Sequence, residues 1–323
     1  MPVGNTRTAI EFFSGIGGFA AVAAESGIEI VQAFDQDESA NLVYAANFSK
    51  TPDSTNLDSI KSDRLTEADL WWLSPPCTPY TSRGIQQGLA DRRSVSLVNV
   101  LDMMVECQPS TIVLENVLGF LQSDAHRLVE RTLNKHDYLM HTLVLCSSDF
   151  GIPMRRPRVF LCAFKLPAPQ KDTKDKTTLS KEIARYYAEQ VKPELKQNGQ
   201  KASLSDFIRE ANNAEFEVKW SEVERYKWCM DIVGLNESDR NVICFTSGYG
   251  KSFRSSGSFL QISEQSVRRF SPREILSLLG FSEDFTLPQS VGLQKQWKLV
   301  GNSLDLRCVK HVLAFVDAID LRI

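Results

Sequence analysis

The feature that most constrains the fold is an alternation of short apolar runs with helical patterns from Thr8 to about Leu166. The runs "AIEFFSG", "IEIVQAFD", "DLWWLSPP" and "TIVLENV" are followed in turn by "FAAVAAESG", "ESANLVYAANF", "SVSLVNVLDMMVEC" and "AHRLVERTLNKHDY". Repeated strand–helix units build parallel sheets with helices on both faces. The sequence therefore predicts an α/β fold with a doubly wound, mostly parallel sheet. Two further runs, "LMHTLVLCSSDF" and "RPRVFLCAFKL", have no helix between them and predict a terminal hairpin on that sheet.

The character of the chain changes after Leu166, where "PAPQKDTKDKTTLSK" has the composition of a linker or exposed loop. Beyond it, "KEIARYYAEQV" and "SPREILSLLGF" show moderate helical patterns. The final stretch, "GNSLDLRCVKHVLAFVDAI", predicts an amphipathic helix that starts behind an Asn/Ser cap and returns to the first domain. We therefore expect a larger domain of residues 1–166 plus 296–323 and a smaller domain of residues 167–295.

Composition narrows the class of protein. The 323 residues are 42% hydrophobic and carry a net charge of −3, so a polyanionic partner must be held by a local basic patch. No signal peptide and no run long enough to cross a bilayer is evident, which predicts no membrane partner and a cytoplasmic location, with the nucleus as a second one. Seven cysteines, an odd number without CxxC pairs, argue against a disulfide framework and against a metal site. We expect a monomer.

The stretch "EFFSGIGGFA" places Gly15, Gly17 and Gly18 between a strand and a helix. Missing side chains there let a ligand approach the backbone and the helix N-terminus. The pattern departs from GxGxxG, which makes a dinucleotide a poor fit. About 20 residues on, Asp35 is placed to accept hydrogen bonds from ribose hydroxyls. The pair favours an adenosine-bearing ligand; the alternative is a tight turn followed by a helix-capping aspartate.

The stretch "LWWLSPPCTPYTSRG" ends an apolar run with two prolines and then presents one cysteine. A free cysteine is usually a small buried hydrophobe. Pro75 and Pro76 stop the strand, however, so Cys77 falls just past its carboxyl end, where open α/β sheets bind ligands. A thiol acts as a nucleophile only as the thiolate, which needs nearby positive charge.

Three polar side chains further along are candidates to act with Cys77. In "TIVLENV" a buried run ends in Glu115, which suits the carboxyl edge of the sheet; the alternative is that it caps the next helix. In "MRRPR", Arg156 and Arg158 alternate around Pro157 and point to one face if the strand begins there; the alternative is a solvated basic edge.

Together, "EFFSGIGGF", "SPPC", "ENV", "RRPR" and "GNS" resemble, in order and approximate spacing, the motifs of the cytosine-5 methyltransferases from about Glu11 to Val309. The resemblance implies a Rossmann-like domain that binds S-adenosylmethionine and a smaller target-recognition domain. It places Phe13 against the adenine, Asp35 on the ribose and Asp58 near the adenine amine. The other cofactor-binding residues that it implies are Ser14, Gly15, Ile16, Gly17, Gly18, Gln36, Leu57, Ser74, Asn302 and Ser303.

The resemblance also implies a mechanism that agrees with the residues. Cys77 adds to C6 of a flipped cytosine while Glu115 holds N3 and the exocyclic amine, so that C5 takes the methyl group. Arg158 and Arg156 hold the base carbonyl and favour the thiolate.

A narrower resemblance concerns the polymer. "VICFTSGYGKSFRSSGSFLQ" is similar to the Cys-Phe-Thr segment of the small tRNA methyltransferases historically grouped with DNA methyltransferases, which act on an anticodon-loop cytosine of aspartate tRNA. It implies tRNA as the partner and gives Cys244, Phe245 and Thr246 a role in binding substrate; the alternative is a buried strand. Thr78 and Tyr80, where that family has Gln and Phe, and the basic "MRRPR" are closer to the DNA enzymes. A DNA methyltransferase and a noncatalytic nucleic-acid-binding homologue therefore stay open.

Overall fold

The computed structural model of the chain describes residues 6–77, 94–167, 175–192, 201–209, 214–235 and 240–320. Thr78 and Tyr80 lie outside the described residues, as do residues 168–174 of the predicted linker. The later part of that stretch, from Lys176 on, is helical and not a loop, because Asp175 caps a helix there.

Six of the first seven strands follow the six predicted apolar runs, and a two-residue strand, Met154–Arg155, precedes the last run. The seven strands are β1 (Arg7–Phe12), β2 (Ile28–Phe34), β3 (Leu70–Leu73), β4 (Thr111–Asn116), β5 (Tyr138–Leu145), β6 (Met154–Arg155) and β7 (Arg158–Lys165). Within the described ranges, six of them form one sheet in the order β2-β1-β3-β4-β7-β5. The first four strands run parallel, and β7 pairs antiparallel with both β4 and β5. The mostly parallel sheet and its terminal hairpin are confirmed.

Helices cover both faces of this sheet, as the alternation predicts. They are α1 (Gly18–Glu25), α2 (Glu38–Asn47), α3 (Val95–Cys107) and α4 (Asp124–Lys135). Successive side chains of a strand point to opposite faces, and β3 shows this clearly. Trp72 stacks on Phe19 of α1 with ring centroids 4.6 Å apart, whereas Trp71 packs with Phe12 in the opposite cluster, which α3 and α4 complete. Because the strands are buried on both faces, polar side chains that could bind a ligand are expected where the strands end, at the carboxyl edge of the sheet.

The rest of the chain adds two small sheets and five helices among the described residues. The strands are β8 (Asp231–Val233), β9 (Val242–Ile243), β10 (Ser258–Ser263) and β11 (Ser266–Arg269), and the helices are α5 (Lys176–Tyr186), α6 (Trp220–Tyr226), α7 (Pro272–Leu278), α8 (Leu293–Asn302) and α9 (Leu306–Asp320). β11, β10 and β8 form one sheet, and β9 pairs with β6. The apolar core runs on without a break from the central sheet into this region. None of the described helices is long and apolar enough to span a membrane.

The C-terminal helix α9 returns to the larger domain and packs on α1, as expected. Its predicted start is wrong. Asn302 is the last residue of α8, and Asp305 caps α9 by accepting a hydrogen bond from the backbone N–H of Arg307 at 2.9 Å. A carboxylate nearer the helix satisfies the free N–H groups better than the Asn/Ser pair, which is thereby released to line the cleft described below.

Candidate active site

The glycine turn after β1 has a backbone that few side chains tolerate. Phe13, Gly15 and Gly17 all have positive φ angles, of 59°, 55° and 87°. A Cβ on Gly17 would lie 2.3 Å from the Phe48 ring, so this glycine is needed for close packing rather than for an open surface. The turn exposes the backbone of its other residues at the N-terminus of α1.

Asp35 follows β2 and fastens this turn. Its carboxylate accepts hydrogen bonds from the backbone N–H of Gly15 and of Asp37, both at 2.8 Å. Burial raises the pKa of Asp35, although the same two N–H groups and Lys295 oppose the rise. The helix-capping aspartate of the alternative interpretation is Asp37, whose side chain accepts from the first turn of α2. Asp35 therefore both holds the turn and faces the cleft.

A second loop brings Leu57 and Asp58 to the same cleft. The Asn56 side chain accepts hydrogen bonds from the side-chain amide of Gln36 at 2.6 Å and from the backbone N–H of Asp58 at 2.9 Å. The Asp58 carboxylate accepts from the Ser96 hydroxyl on α3. These contacts leave both loops with a defined position next to the glycine turn.

The proline-flanked cysteine lies at the edge of the sheet, as predicted. The Ser74 N–H donates to the carbonyl of Phe12 at 3.2 Å, and the Asn116 side chain donates to the carbonyl of Pro75 at 3.1 Å. The loop that carries Cys77 is thus tied to β1 and to β4. Burial raises the pKa of the Cys77 thiol, Arg158 acts against this, and Glu115 adds to it. The resting thiol is therefore held protonated, and the expected net lowering by arginine is not found.

Glu115 and Arg158 form a partly enclosed ion pair at the ends of β4 and β7. The Arg158 Nε atom lies 3.1 Å from Glu115 Oε1. Glu115 is only 8% exposed, and burial raises its pKa although both Arg158 and Arg156 oppose the rise. A carboxyl group with a raised pKa next to a cation is suited to exchange a proton with a bound base.

Arg156 differs from Arg158 in where its donors point. It is 2% exposed, and its Nη1 atom donates to the Phe245 carbonyl at 3.0 Å and to Cys244 Sγ at 3.1 Å. Its Nη2 atom donates to the carbonyls of Gly301, at 3.2 Å, and Ser303. The guanidinium thus joins two distant loops, and the contact of Arg156 with a base carbonyl stays a prediction.

The three residues of the Cys-Phe-Thr segment have different surroundings. Cys244 contacts both arginines, which outweigh burial and lower its pKa. Phe245 is 1% exposed and packs against Tyr249 and Phe270. Thr246 accepts a hydrogen bond from the N–H of Gly248 and donates to the carbonyl of Ser256. The side chains of Phe245 and Thr246 thus make contacts within their own region of the protein, and of the three only the Cys244 side chain contacts Arg156 and Arg158.

These elements enclose a cavity of about 700 Å³. It is lined by sixteen of the predicted residues: Phe13, Ser14, Gly15, Ile16, Gly18, Asp35, Gln36, Leu57, Asp58, Ser74, Cys77, Glu115, Arg156, Arg158, Asn302 and Ser303. Gly17, Cys244, Phe245 and Thr246 do not line it. One cavity therefore joins the glycine turn to the predicted nucleophile and its acid.

Several residues at the cavity were missed by the sequence analysis. Asn56 precedes the noted "LD" pair, and Ser247 directly follows "CFT". Lys298 comes shortly before the "GNS" motif and lies 3.6 Å from Asp37 at the cavity rim, beside the closer Lys295–Asp37 pair at 2.8 Å. Ser96 has no motif around it that could have identified it.

Comparison with known proteins agrees with this geometry. The model of the family "C-5 cytosine-specific DNA methylase" matches residues 7–316. The chain is 28% identical to a mouse tRNA (cytosine(38)-C(5))-methyltransferase over 94% of its length and 92% of the relative's, and 27% identical to a Dictyostelium discoideum DNA (cytosine-5)-methyltransferase over 94% and 92%. An Entamoeba histolytica methyltransferase structure has the same fold, with a TM-score of 0.82 and 24% identity over 98% and 99% of the two chains. The chain belongs to the C-5 cytosine-specific DNA methylase family.

Proposed function

We propose that this protein transfers a methyl group from S-adenosylmethionine to C5 of a cytosine in tRNA. The observation that carries the proposal is the single cavity that unites the glycine turn, Cys77 and the Glu115–Arg158 ion pair. The relatives named as tRNA (cytosine(38)-C(5))-methyltransferases, matched over nearly the whole chain, support the choice of reaction and polymer.

The residues around the glycine turn fit S-adenosylmethionine. The hydroxyl oxygens of Ser14 and Ser303 are buried at the cavity without a hydrogen-bond partner among the described residues, which is costly unless a polar ligand pairs with them. Asp35 would accept from the ribose hydroxyls, Phe13 and Asp58 would hold the adenine, and Asn302 would close the site. When bound, the cofactor supplies an electrophilic methyl group.

The other half of the cavity would prepare the cytosine. The Cys77 thiol releases its proton to water as its Sγ atom forms a bond to C6, and the pyrimidine N3 takes up a proton from Glu115, whose carboxyl pKa burial raises. Arg158 stabilises the carboxylate that remains and holds the base carbonyl. After C5 is methylated, N3 returns its proton to Glu115 and water takes the C5 proton. The electrons of that C5–H bond form the C5–C6 double bond as the Cys77–C6 bond breaks, so that its electron pair returns to sulfur and the product is released.

We propose a cytosine in the anticodon loop of an aspartate tRNA as the target. A loop base is already partly unstacked and therefore costs less to extrude than a base in a duplex. The second candidate is DNA: the Dictyostelium relative is named a DNA enzyme, and the basic "MRRPR" sequence favours this alternative. Because both Nη atoms of Arg156 donate hydrogen bonds within the protein, however, that arginine is explained without a duplex. A monomer in the cytoplasm and nucleus suits either substrate.

The test is a methyl-transfer assay with labelled S-adenosylmethionine in which folded total tRNA, unfolded tRNA fragments and genomic DNA are compared at equal cytosine content. We expect folded tRNA to be methylated at least about a hundredfold faster than DNA, because a loop base needs less unstacking. Bisulfite sequencing then locates the cytosine. Faster methylation of DNA would overturn the choice of tRNA, and no incorporation into any acceptor would overturn the activity itself.

A further inference from the structure

The most exposed large apolar side chain among the described residues is Trp228, which is 72% exposed just after helix α6. An indole that stays exposed to water does not stabilise the folded state, since apolar surface contributes to the free energy of folding only when it is buried. Single exposed apolar residues are common on proteins, so the exposure of Trp228 matters only together with its surroundings.

Two residues before Trp228, the chain enters a stack of rings and guanidinium groups. Tyr226 stacks on Phe253 with ring centroids 4.9 Å apart and planes 18° from parallel. The Arg225 guanidinium lies 5.2 Å from the Tyr226 ring centroid, and that of Arg269 lies 4.8 Å from Phe253 on its side. The turn that presents Trp228 is therefore anchored on a well-packed layer and has little freedom to fold its indole away.

The same place is basic. Arg225, Lys227 and Trp228 follow one another closely, and Phe253 stands between the exposed Lys251 and Arg254. We call Arg225, Lys227, Trp228, Lys251 and Arg254 the Trp228 surface. Among the described residues, neither Lys227 nor Lys251 nor Arg254 has an ion-pair partner, so their charges are available to a polyanion. Three acidic residues are close in sequence: Glu222 and Glu224 on α6, which offset part of this charge, and Asp231, which is paired with Arg240 at 2.6 Å.

The Trp228 surface lies near the active-site cavity. Ser247 lines the cavity, and the carbonyl of the preceding Thr246 packs directly against Gly301. Phe253 is six residues after Ser247, so at full extension the chain spans at most about 20 Å between them. The turns within this loop shorten that distance. A nucleic acid with one base in the cavity would have to extend over about this distance to reach the Trp228 surface.

We propose that the Trp228 surface binds an unpaired nucleotide of the RNA substrate, with its base stacked on the Trp228 indole and its flanking phosphates paired with Lys227, Lys251 and Arg254. Exposed aromatic side chains set among cations are the usual means of holding unpaired bases. Duplex DNA presents no free base face and would use only the cations. This inference rests on the proposed function, because it concerns where the same RNA substrate is held outside the cavity.

The experiment compares Trp228→Ala with Trp228→Phe in the full-length protein, using fluorescence-anisotropy titrations with a tRNA anticodon stem-loop and with a DNA duplex. We expect Trp228→Ala to raise the RNA Kd by about 5- to 150-fold, the range measured for losing one base–aromatic stack, and Trp228→Phe to restore most of the affinity. Trp220→Ala, a change of a 38% exposed tryptophan at the other end of α6, is the matched control and should alter the Kd less than about twofold. The Kd of S-adenosylmethionine should stay unchanged in all three variants.

Three outcomes would overturn this inference: an unchanged RNA Kd in Trp228→Ala, an equal loss of affinity for RNA and duplex DNA, or a shift from dimer to monomer in sedimentation with RNA affinity intact. The proposed function is judged separately, by whether the wild-type protein methylates tRNA. If the wild type methylates tRNA and Trp228→Ala binds RNA as tightly as the wild type, this inference is wrong and the proposed function still stands.

Discussion

The two halves of the active-site cavity are built in different ways. The cofactor half, residues 13–18, 35–36 and 56–58, lies on loops that directly follow β1 and β2 or lead into β3. Side chains join these loops: Asp35 accepts from the N–H of Gly15, and Gln36 donates to Asn56. The cytosine half depends on Arg156, which joins Cys244, Phe245, Gly301 and Ser303 from parts of the chain up to 147 residues away. We therefore expect substitutions in the first half to change ligand affinity and substitutions in the second to change chemistry or folding.

The largest difference in activity should be between substitutions of Cys77 and of Cys244, two cysteines that both interact with Arg158. Cys77→Ala should abolish methyl transfer, because the bond to C6 has no substitute, and leave the Kd of S-adenosylmethionine within about twofold of wild type. Cys244 does not line the cavity although its pKa is the lowered one, so Cys244→Ala should retain measurable turnover. A 5-fluorocytosine RNA should trap a denaturation-resistant adduct with wild type and Cys244→Ala only. An adduct formed by Cys77→Ala would show that the lowered thiol pKa, and not position in the cavity, selects the nucleophile.

The next effect concerns Glu115. Glu115→Gln should lower kcat by about a hundredfold or more, since the amide keeps the shape but supplies no proton to N3. The affinity for S-adenosylmethionine should hardly change, because Glu115 belongs to the cytosine half of the cavity. Single-turnover kinetics and calorimetry measure the two quantities. An unchanged kcat would remove Glu115 from the chemistry and leave it as the ion-pair partner of Arg158.

The same contrast explains what the sequence predicts and what it does not. Asp35, Cys77 and Glu115 were found because each follows an apolar run that ends at the same edge of the sheet, and this periodicity is local. The partners of Arg156 were not found, because Cys244 is 88 residues away and Gly301 is 145 away, and no pattern in the sequence records such contacts. For Phe245 the sequence left both a substrate contact and a buried position open, and its packing against Tyr249 and Phe270 agrees with the buried position.

The role of Arg156 predicts a loss of stability. Arg156→Ala leaves up to three buried carbonyls without a donor, which should lower the free energy of unfolding by about 2–4 kcal/mol. Urea unfolding followed by fluorescence measures this. Arg155→Ala, at the exposed neighbouring position, is the matched control and should change stability by less than about 0.5 kcal/mol. Equal stability of the two variants would mean that Arg156 is a substrate ligand, as the sequence suggested, and not a clamp.

A smaller effect is expected in the cofactor half. Asp35→Ala should weaken S-adenosylmethionine by about 1–3 kcal/mol, because the ribose loses an acceptor and the turn at Gly15 loses its fastening. Calorimetry measures the change, with the exposed Asp63→Ala as a control that should have no effect. Wild-type affinity in Asp35→Ala would place the ribose elsewhere. An unfolding free energy close to wild type would support the distinction between the two halves, since Asp35 is not tied to distant segments.

The last prediction tests whether the cofactor half, too, contains a group that matters for folding. Glu11 is buried on β1 below the glycine turn, accepts a hydrogen bond from the Tyr44 hydroxyl at 3.1 Å, and burial raises its pKa to about 8. Between the ordinary glutamate pKa and about 8, the folded state therefore binds a proton that the unfolded state has lost, so stability falls as pH rises. For one group the slope approaches about 1.4 kcal/mol per pH unit in that window and vanishes above it. Urea unfolding at pH 6, 7 and 8 should show this slope in wild type and a reduced one in Glu11→Gln. Identical slopes in the two proteins would mean that Glu11 is charged in the folded state. The pH dependence of stability would then not come from this buried group.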